Sequence, residues 1–175
     1  MDEMIDVLAE TTGQKTGAVI SKSEAHKTGI WHGSVHILLV SKDRRQTLLQ
    51  QRSPEKKLYP NAWDIAVGGH ISAGEDEITS AKRELKEELG IDSDDLVMEK
   101  VDRITEMLNN NGVISNEFVS IFVVYADIDL KDIKLQVEEV SGAKWCTKEE
   151  LNQFIDEGMA IPHVREYEIL NKILK

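Results

Sequence analysis

The segment Gly69 to Ile91, GHISAGEDEITSAKRELKEELGI, constrains this chain more than any other. Ile78, Ala81, Leu85 and Leu89 recur at helical spacing and predict one apolar stripe facing a core. Gly90 then supplies a stop, so the helix is expected to run from about Asp76 to Leu89. Glu84, Glu87 and Glu88 stand at i, i+3 and i+4 and share an adjoining face. One side of this helix must enter a core while the other gathers three carboxylates. Like charges held so close cost free energy unless something positive lies among them, and a hard divalent cation with oxygen ligands is the usual solution. An acidic helix face taken alone is most often solvated surface, softened here by Lys82 and Lys86. The complete pattern of the segment tips the reading the other way.

Around this helix the chain reads as mixed strands and helices. Residues 3–8 and 18–20 are expected as short strands joined at Thr12-Gly13-Gln14. Ser34 to Val40 is apolar on both faces and predicts a buried strand, returning as Thr47 to Arg52 after a polar turn. Ser53 to Ala62 is broken by Pro54, Pro60 and Asn61 into a loop, and Trp63 to Val67 predicts a short strand. After the helix come a loop and strand over 94–103, a turn at Asn109 to Gly112, and a strong strand from Glu117 to Ala126. A further strand is expected over Val140 to Trp145, with amphipathic helices over Lys148 to Asp156 and Arg165 to Leu174. The pattern predicts an α/β sandwich with a central mixed sheet, as one domain over 1–175 whose N-terminal strands fall within about 1–30.

Composition narrows the partners. The 175 residues suffice for one domain with a core. A net charge of −11 with no long basic run repels nucleic-acid backbone, so no nucleic-acid partner is expected. No apolar run approaches the ~18 residues of a membrane span, and the acidic N-terminus lacks the form of a signal peptide. The single cysteine, Cys146, excludes an intramolecular disulfide and fits a reducing cytoplasm. Small anionic substrates remain compatible, because bound cations invert the local field.

The central segment resembles the Nudix box, G-x5-E-x7-R-E-U-x-E-E-x-G-U with U bulky and aliphatic, at every constrained position. Average residue usage gives a chance match in a chain this long odds of about one in ten million. The resemblance implies a Nudix-type α/β/α sandwich and Mg²⁺-dependent hydrolysis of a diphosphate linkage, with Mn²⁺ as an alternative ion. It implies metal ligation by Glu84, Glu87, Glu88 and the carbonyl of Gly69. Gly69 is otherwise read as a turn glycine needing positive φ. The resemblance also implies that Glu75 and Arg83, two helical turns apart, pair to orient the site. The general base is left open between a box glutamate and a later one, of which Glu117 is the first candidate and Glu138 and Glu139 are weaker. A small-molecule diphosphate is the implied partner, and homodimers are common in the family.

A second resemblance covers about Ala25 to Phe122. Ala25-His26, His32, Leu48-Leu49, Arg52, Pro60, Trp63, Gly69-His70 and Asn116-Glu117 look like type I isopentenyl-diphosphate isomerases, which share the Nudix fold. There, residues matching His26, His32, His70 and Glu117 bind a metal, which implies a second metal or phosphate site here. The isomerase's essential cysteine falls on Gly68 and its other ligating glutamate on Ser115. Isomerisation needs an acid and a base flanking the allyl unit, and glycine supplies neither. Phosphorus chemistry is therefore expected, with the isomerase or a non-catalytic diphosphate-binding domain as alternatives. Arg52, Lys56 and Lys57 are candidates for substrate phosphates. Trp31 and Tyr59 are candidates for stacking on a base or an isoprenoid chain, and Trp63 for core packing. His36 reads as a strand or core histidine, and His163 has no assigned role.

Overall fold

A computed structural model describes all residues, Met1–Lys175. A hairpin of β1 (Met4–Leu8) and β2 (Lys15–Ser21) runs into helix α1 (Lys22–Thr28). The main sheet holds β3 (His32–Val40), β4 (Gln46–Arg52), β5 (Trp63–Asp64), β6 (Val67–His70), β7 (Glu99–Asn110), β8 (Val113–Tyr125) and β9 (Val140–Thr147). Helix α2 (Glu77–Leu89) precedes β7, and α3 (Lys148–Asp156) and α4 (Val164–Ile173) close the chain.

Strand β3 organises the sheet. It runs parallel to β8 along its whole length, from His32 opposite Glu117 to Val40 opposite Tyr125. On its other side it pairs antiparallel with β6 through Ser34–Ile37 and meets β4 only at Val40. The sheet therefore splays open along β3, and β4 continues outward to β5 and β9. All nine residues of β3 are buried, as its two-faced apolarity predicts.

Alternation along β3 sends side chains to two cores. Val35, Ile37 and Leu39 pack with Ala81, Leu85 and Leu89 of α2 and with Leu48, Phe122 and Val140. Leu38 and Val40 pack with Val119, Ile121 and Val123, against Leu151 of α3 and Tyr167, Ile169 and Leu170 of α4. Helices on both faces of a mixed sheet make the expected sandwich. Helix α2 begins at the Asp76 cap, whose carboxylate accepts from the Thr79 amide at 2.7 Å, and ends at Gly90 with φ +67°.

Several boundaries differ from expectation, each for a local reason. Residues 22–28 are helical: Ser21 caps the Glu24 amide and Gly29 closes the turn at φ +71°. The two strands flanking the Asn109 to Gly112 turn run right up to it. Asn111 and Gly112 both take positive φ, the two-residue hairpin turn from which strands of 12 and 13 residues pair, interrupted only by a bulge at Val101. Trp63 to Val67 is broken at Ile65-Ala66 into β5 and β6. Ile78 is 49% exposed rather than core-facing. The buried stripe passes back from Ala81 to Glu77, one turn earlier, where that carboxylate bonds Ser120 of β8 and Lys100 of β7. No helix is long and apolar enough to cross a membrane.

Candidate active site

Helix α2 lays its carboxylates against β6. Glu84 and Glu88 are each only 8% exposed, while Glu87 lies on the outer surface. Gly69 abuts Glu84 so closely that a Cβ would fall 2.2 Å from the Glu84 Cδ. Its φ is not positive, so glycine stands there for close approach and not for a left-handed turn. Arg83 binds the group together. It donates to Glu75 Oε2 at 3.1 Å, Glu84 Oε1 at 2.7 Å, Glu87 Oε2 at 3.3 Å and the His70 carbonyl at 3.0 Å. The sequence-expected Glu75–Arg83 contact is thus present. Lys82 and Lys86 turn away toward Asp94 and Asp92 and do not soften the ridge. The N-terminal hairpin braces the loop before the helix: Glu3 accepts from Ser72 at 2.8 Å, and Asp6 from the Gly74 amide at 3.0 Å.

The electrostatics mark a deficit of positive charge. Burial drives the Glu88 carboxyl up to about 8; a 2.8 Å hydrogen bond from Gln50 offsets this only in part, and Glu84, Asp64 and Glu139 add repulsion. Glu84 is also raised by burial, against the pull of Arg83. A cation seated between Glu84 and Glu88 relieves both, so the oxygen donors present suit a hard divalent ion.

Beside the ridge, His26, His32, His70 and Glu117 converge within ligand distance of one another. His32 is fully buried; its Nδ1 hydrogen-bonds the Ile30 carbonyl at 2.8 Å, and its buried Nε2 has no partner. With the proton assigned to Nδ1 by that carbonyl, the Nε2 lone pair faces inward, the arrangement of a metal-ligating imidazole. Glu117 Oε1 lies 3.6 Å from His32 Nε2 and 3.7 Å from His70 Nε2. Burial would raise its carboxyl, but the His32 and His70 imidazoles beside it outweigh this and hold it well below the usual range. His26 is lowered to about 4, first by burial and then by His70 and His32. Glu117 does not open its strand from a loop, as the sequence suggests. It sits inside β8, flanked by His32 of β3 and Glu106 of β7.

Ser115 fills the position of the second isomerase glutamate. Its hydroxyl reaches His26 at 3.3 Å and donates to Glu117. Gly68 lies opposite His36 in the β3–β6 ladder, and a Cβ there would come within 3.3 Å of His36 Cδ2. A cysteine at this position would therefore crowd an imidazole that the fold holds in place.

These groups share a cleft of about 1330 Å³, ample for a nucleotide-sized ligand and its ions. Arg52, Lys56 and Lys57 line it. Arg52 is already held by the Leu58 carbonyl at 3.0 Å and Asp64 at 3.4 Å, and Lys56 by Glu139. Tyr59 is exposed on the cleft, whereas Trp31 packs on Phe118 with centroids 4.9 Å apart. Trp63 stacks on Phe154. Sequence reasoning missed Glu3, Gln50 and Asp64, which meet the site only through the tertiary fold. It also gave no role to His163, whose Nε2 lies 2.9 Å from Asp64. Burial opposes its charge, but Asp64, Glu106 and Glu166 outweigh that and hold the imidazole up at about 10.

Comparison with known proteins places the chain. The model of the NUDIX domain matches residues 31–165. It belongs to the Nudix hydrolase family. Nudix hydrolase 3 of Arabidopsis thaliana is 39% identical over 158 residues, covering 88% of this chain but 20% of that protein. The chain thus spans about a fifth of that relative. An isopentenyl-diphosphate Delta-isomerase of Dinoroseobacter shibae is 34% identical over 134 residues, covering 76% of this chain and 73% of the other. A solved Deinococcus radiodurans structure aligns over 99% of this chain and 100% of its own, with a TM-score of 0.76 at 24% identity, and so shares this Nudix fold. The family typically uses a divalent metal, in keeping with the donor sets above.

Proposed function

We propose that this Nudix chain is a Mg²⁺-dependent pyrophosphohydrolase, with Mn²⁺ as an alternative ion, acting on a nucleoside diphosphate derivative or another small organic diphosphate. The observation that carries this reading is the pairing of Glu84 and Glu88, both buried, against Gly69 in an open cleft with no lysine between them. Glu84, Glu88 and the Gly69 carbonyl would hold the cation. When bound, such an ion polarises the phosphoryl oxygen and lowers the pKa of water.

The chain's own residues do the rest. Arg83, fixed by Glu75 and the His70 carbonyl, sets the angle at which Glu84 enters the site. Glu117 is too acidic, held by two histidines and Ser115, to serve well as a base, and belongs instead to a second ion or phosphate site with His26, His32 and His70. Glu87 is exposed and restrained only by its 3.3 Å contact with Arg83, which leaves its carboxylate available to take the proton from the attacking water. Lys57 is exposed at the mouth of the cleft and makes no salt bridge, so of the three basic candidates it is the best placed for a terminal phosphate.

The test is phosphate release with Mg²⁺ or Mn²⁺ from nucleoside di- and triphosphates, nucleotide sugars, ADP-ribose, dinucleotide cofactors and coenzyme A. Isopentenyl and dimethylallyl diphosphates complete the panel. Release from one class is expected, and Glu87→Gln with Glu88→Gln should cut it by orders of magnitude while the thermal transition survives. Activity persisting in that double variant would refute the ridge mechanism. An isomerase reading is disfavoured by Gly68, where any side chain would crowd His36.

A further inference from the structure

A second set of nitrogen and oxygen donors lies on the same sheet and lines the same cleft, with Glu106 beside Glu117 across the β7–β8 ladder. His36 projects from β3, Glu106 from β7, and His163 and Glu166 from the start of α4. One donor atom from each lies within 4.8 Å of all the others. Donors sharing one ion at the roughly 2.0–2.2 Å bond lengths of imidazole and carboxylate ligands stand about 3.3–3.6 Å apart in a tetrahedral set, so these four would close around it with side-chain shifts of about 1 Å.

Three observations make this cluster a candidate ion site, although without an ion its groups also pair with one another. Glu166 is fully buried, yet its Oε2 has no hydrogen-bond partner; only Oε1 is engaged, by His36 Nδ1 at 2.6 Å. Leaving an oxygen of a buried carboxylate unpaired is costly, and such groups call for an explanation. His163 approaches Glu106 through Nδ1, at 3.6 Å, while its Nε2 is held by Asp64 at 2.9 Å. A carboxylate orienting the far nitrogen is the support that metal-bound histidines usually have. Finally, His36, Glu106 and His163 all line the open cleft, so an ion has a path in.

We propose that His36, Glu106, His163 and Glu166 form a binding site for a divalent transition cation, with Asp64 orienting His163. Two imidazoles and two carboxylates suit Zn²⁺, Mn²⁺ or Co²⁺ better than Mg²⁺, which favours an all-oxygen shell with retained water. The site shares no residue with the His26–His32–His70–Glu117 cluster, although Glu106 neighbours Glu117. His32 and His36 point to the same face of β3 and stand four residues apart, roughly 13 Å along an extended strand. Ser34 lies between them, its hydroxyl buried and unpartnered. The inference does not depend on the proposed hydrolase reaction, since its readout is ion binding.

Co²⁺ titration of chelator-stripped protein tests it, followed by visible d–d absorption and bound-metal analysis, with excess Mg²⁺ present to fill the oxygen ridge. The starting chain is the His26→Asn/His70→Asn variant, which lacks the other histidine cluster. It should bind one Co²⁺ with an absorption spectrum of nitrogen–oxygen coordination. Adding Glu106→Gln and His163→Asn should abolish that signal, and adding Asp64→Asn instead should weaken affinity roughly 10–100-fold. Should His163→Asn prevent folding, Glu106→Gln alone serves, because that side chain is partly exposed and its approach to His163 is long. Unchanged stoichiometry and spectrum in the Glu106 variants would overturn the proposal, as would absence of Co²⁺ binding in the starting variant.

Discussion

Replacing Glu88 by Gln should stabilise the metal-free protein at alkaline pH. In the folded chain burial raises this carboxyl from 4.5 to about 8, with Gln50 offsetting only part of the effect. Below pH 4.5 the group is protonated in both folded and unfolded chains and favours neither. Between 4.5 and about 8 the unfolded chain ionises first, so folded stability falls as pH rises and the loss is complete above 8. At about 1.4 kcal/mol per pH unit the ceiling is roughly 4–5 kcal/mol. Water entering the open cleft raises the local dielectric, so about 1–3 kcal/mol is the expected effect. Glutamine keeps an oxygen to accept the Gln50 bond and carries no charge. Urea unfolding in EDTA at pH 5 and pH 9 measures this directly. Wild type and Glu88→Gln should differ by less than about 1 kcal/mol at pH 5, and the variant should be clearly the more stable at pH 9. Saturating Mg²⁺ should restore the wild type, by about 2.7 kcal/mol at one hundred times the dissociation constant, and barely affect the variant. Parallel pH profiles for the two proteins would refute the claim that Glu88 is a buried carboxylate awaiting a cation.

Other consequences follow from single contacts. Gly69→Ala puts a methyl 2.2 Å from the Glu84 Cδ; it should cost about 1–3 kcal/mol in urea unfolding and raise the Mg²⁺ concentration needed for activity. Gly68→Cys should lower stability by about 1 kcal/mol through contact with His36. It should not interconvert isopentenyl and dimethylallyl diphosphates, because Ser115 still replaces a ligand. The His26 imidazole should stay neutral at pH 7 and titrate near 4; its C2–H resonance followed by NMR between pH 3.5 and 8 checks this.

The helix and its carboxylates were legible in the sequence because periodicity and spacing are local properties. The start near Asp76, the Gly90 stop and the stripe of Ala81, Leu85 and Leu89 all follow from residues within the segment. The three histidines and Glu117 were legible only through resemblance, since His26 and Glu117 are 91 positions apart and the four residues come from four elements, α1, β3, β6 and β8. Helix α1 was missed although Ser21, Glu24 and Gly29 carry an ordinary start and stop. Its seven residues are too short to show a period. Gln50, Asp64, Glu106 and Glu166 carried no local signal. Strand and helix pairing alone brings Gln50 to Glu88 and Glu166 to His36.

The central claim, that this cleft breaks a diphosphate at phosphorus, is tested most directly by running the reaction in H₂¹⁸O with Mg²⁺. The substrates are ADP-ribose, a nucleoside diphosphate and isopentenyl diphosphate, followed by ³¹P NMR. The account predicts one ¹⁸O incorporated into a phosphate product from at least one of them, with incorporation lost in Glu87→Gln/Glu88→Gln. Conversion of isopentenyl to dimethylallyl diphosphate with no label at phosphorus, or label that persists in the double variant, would contradict it.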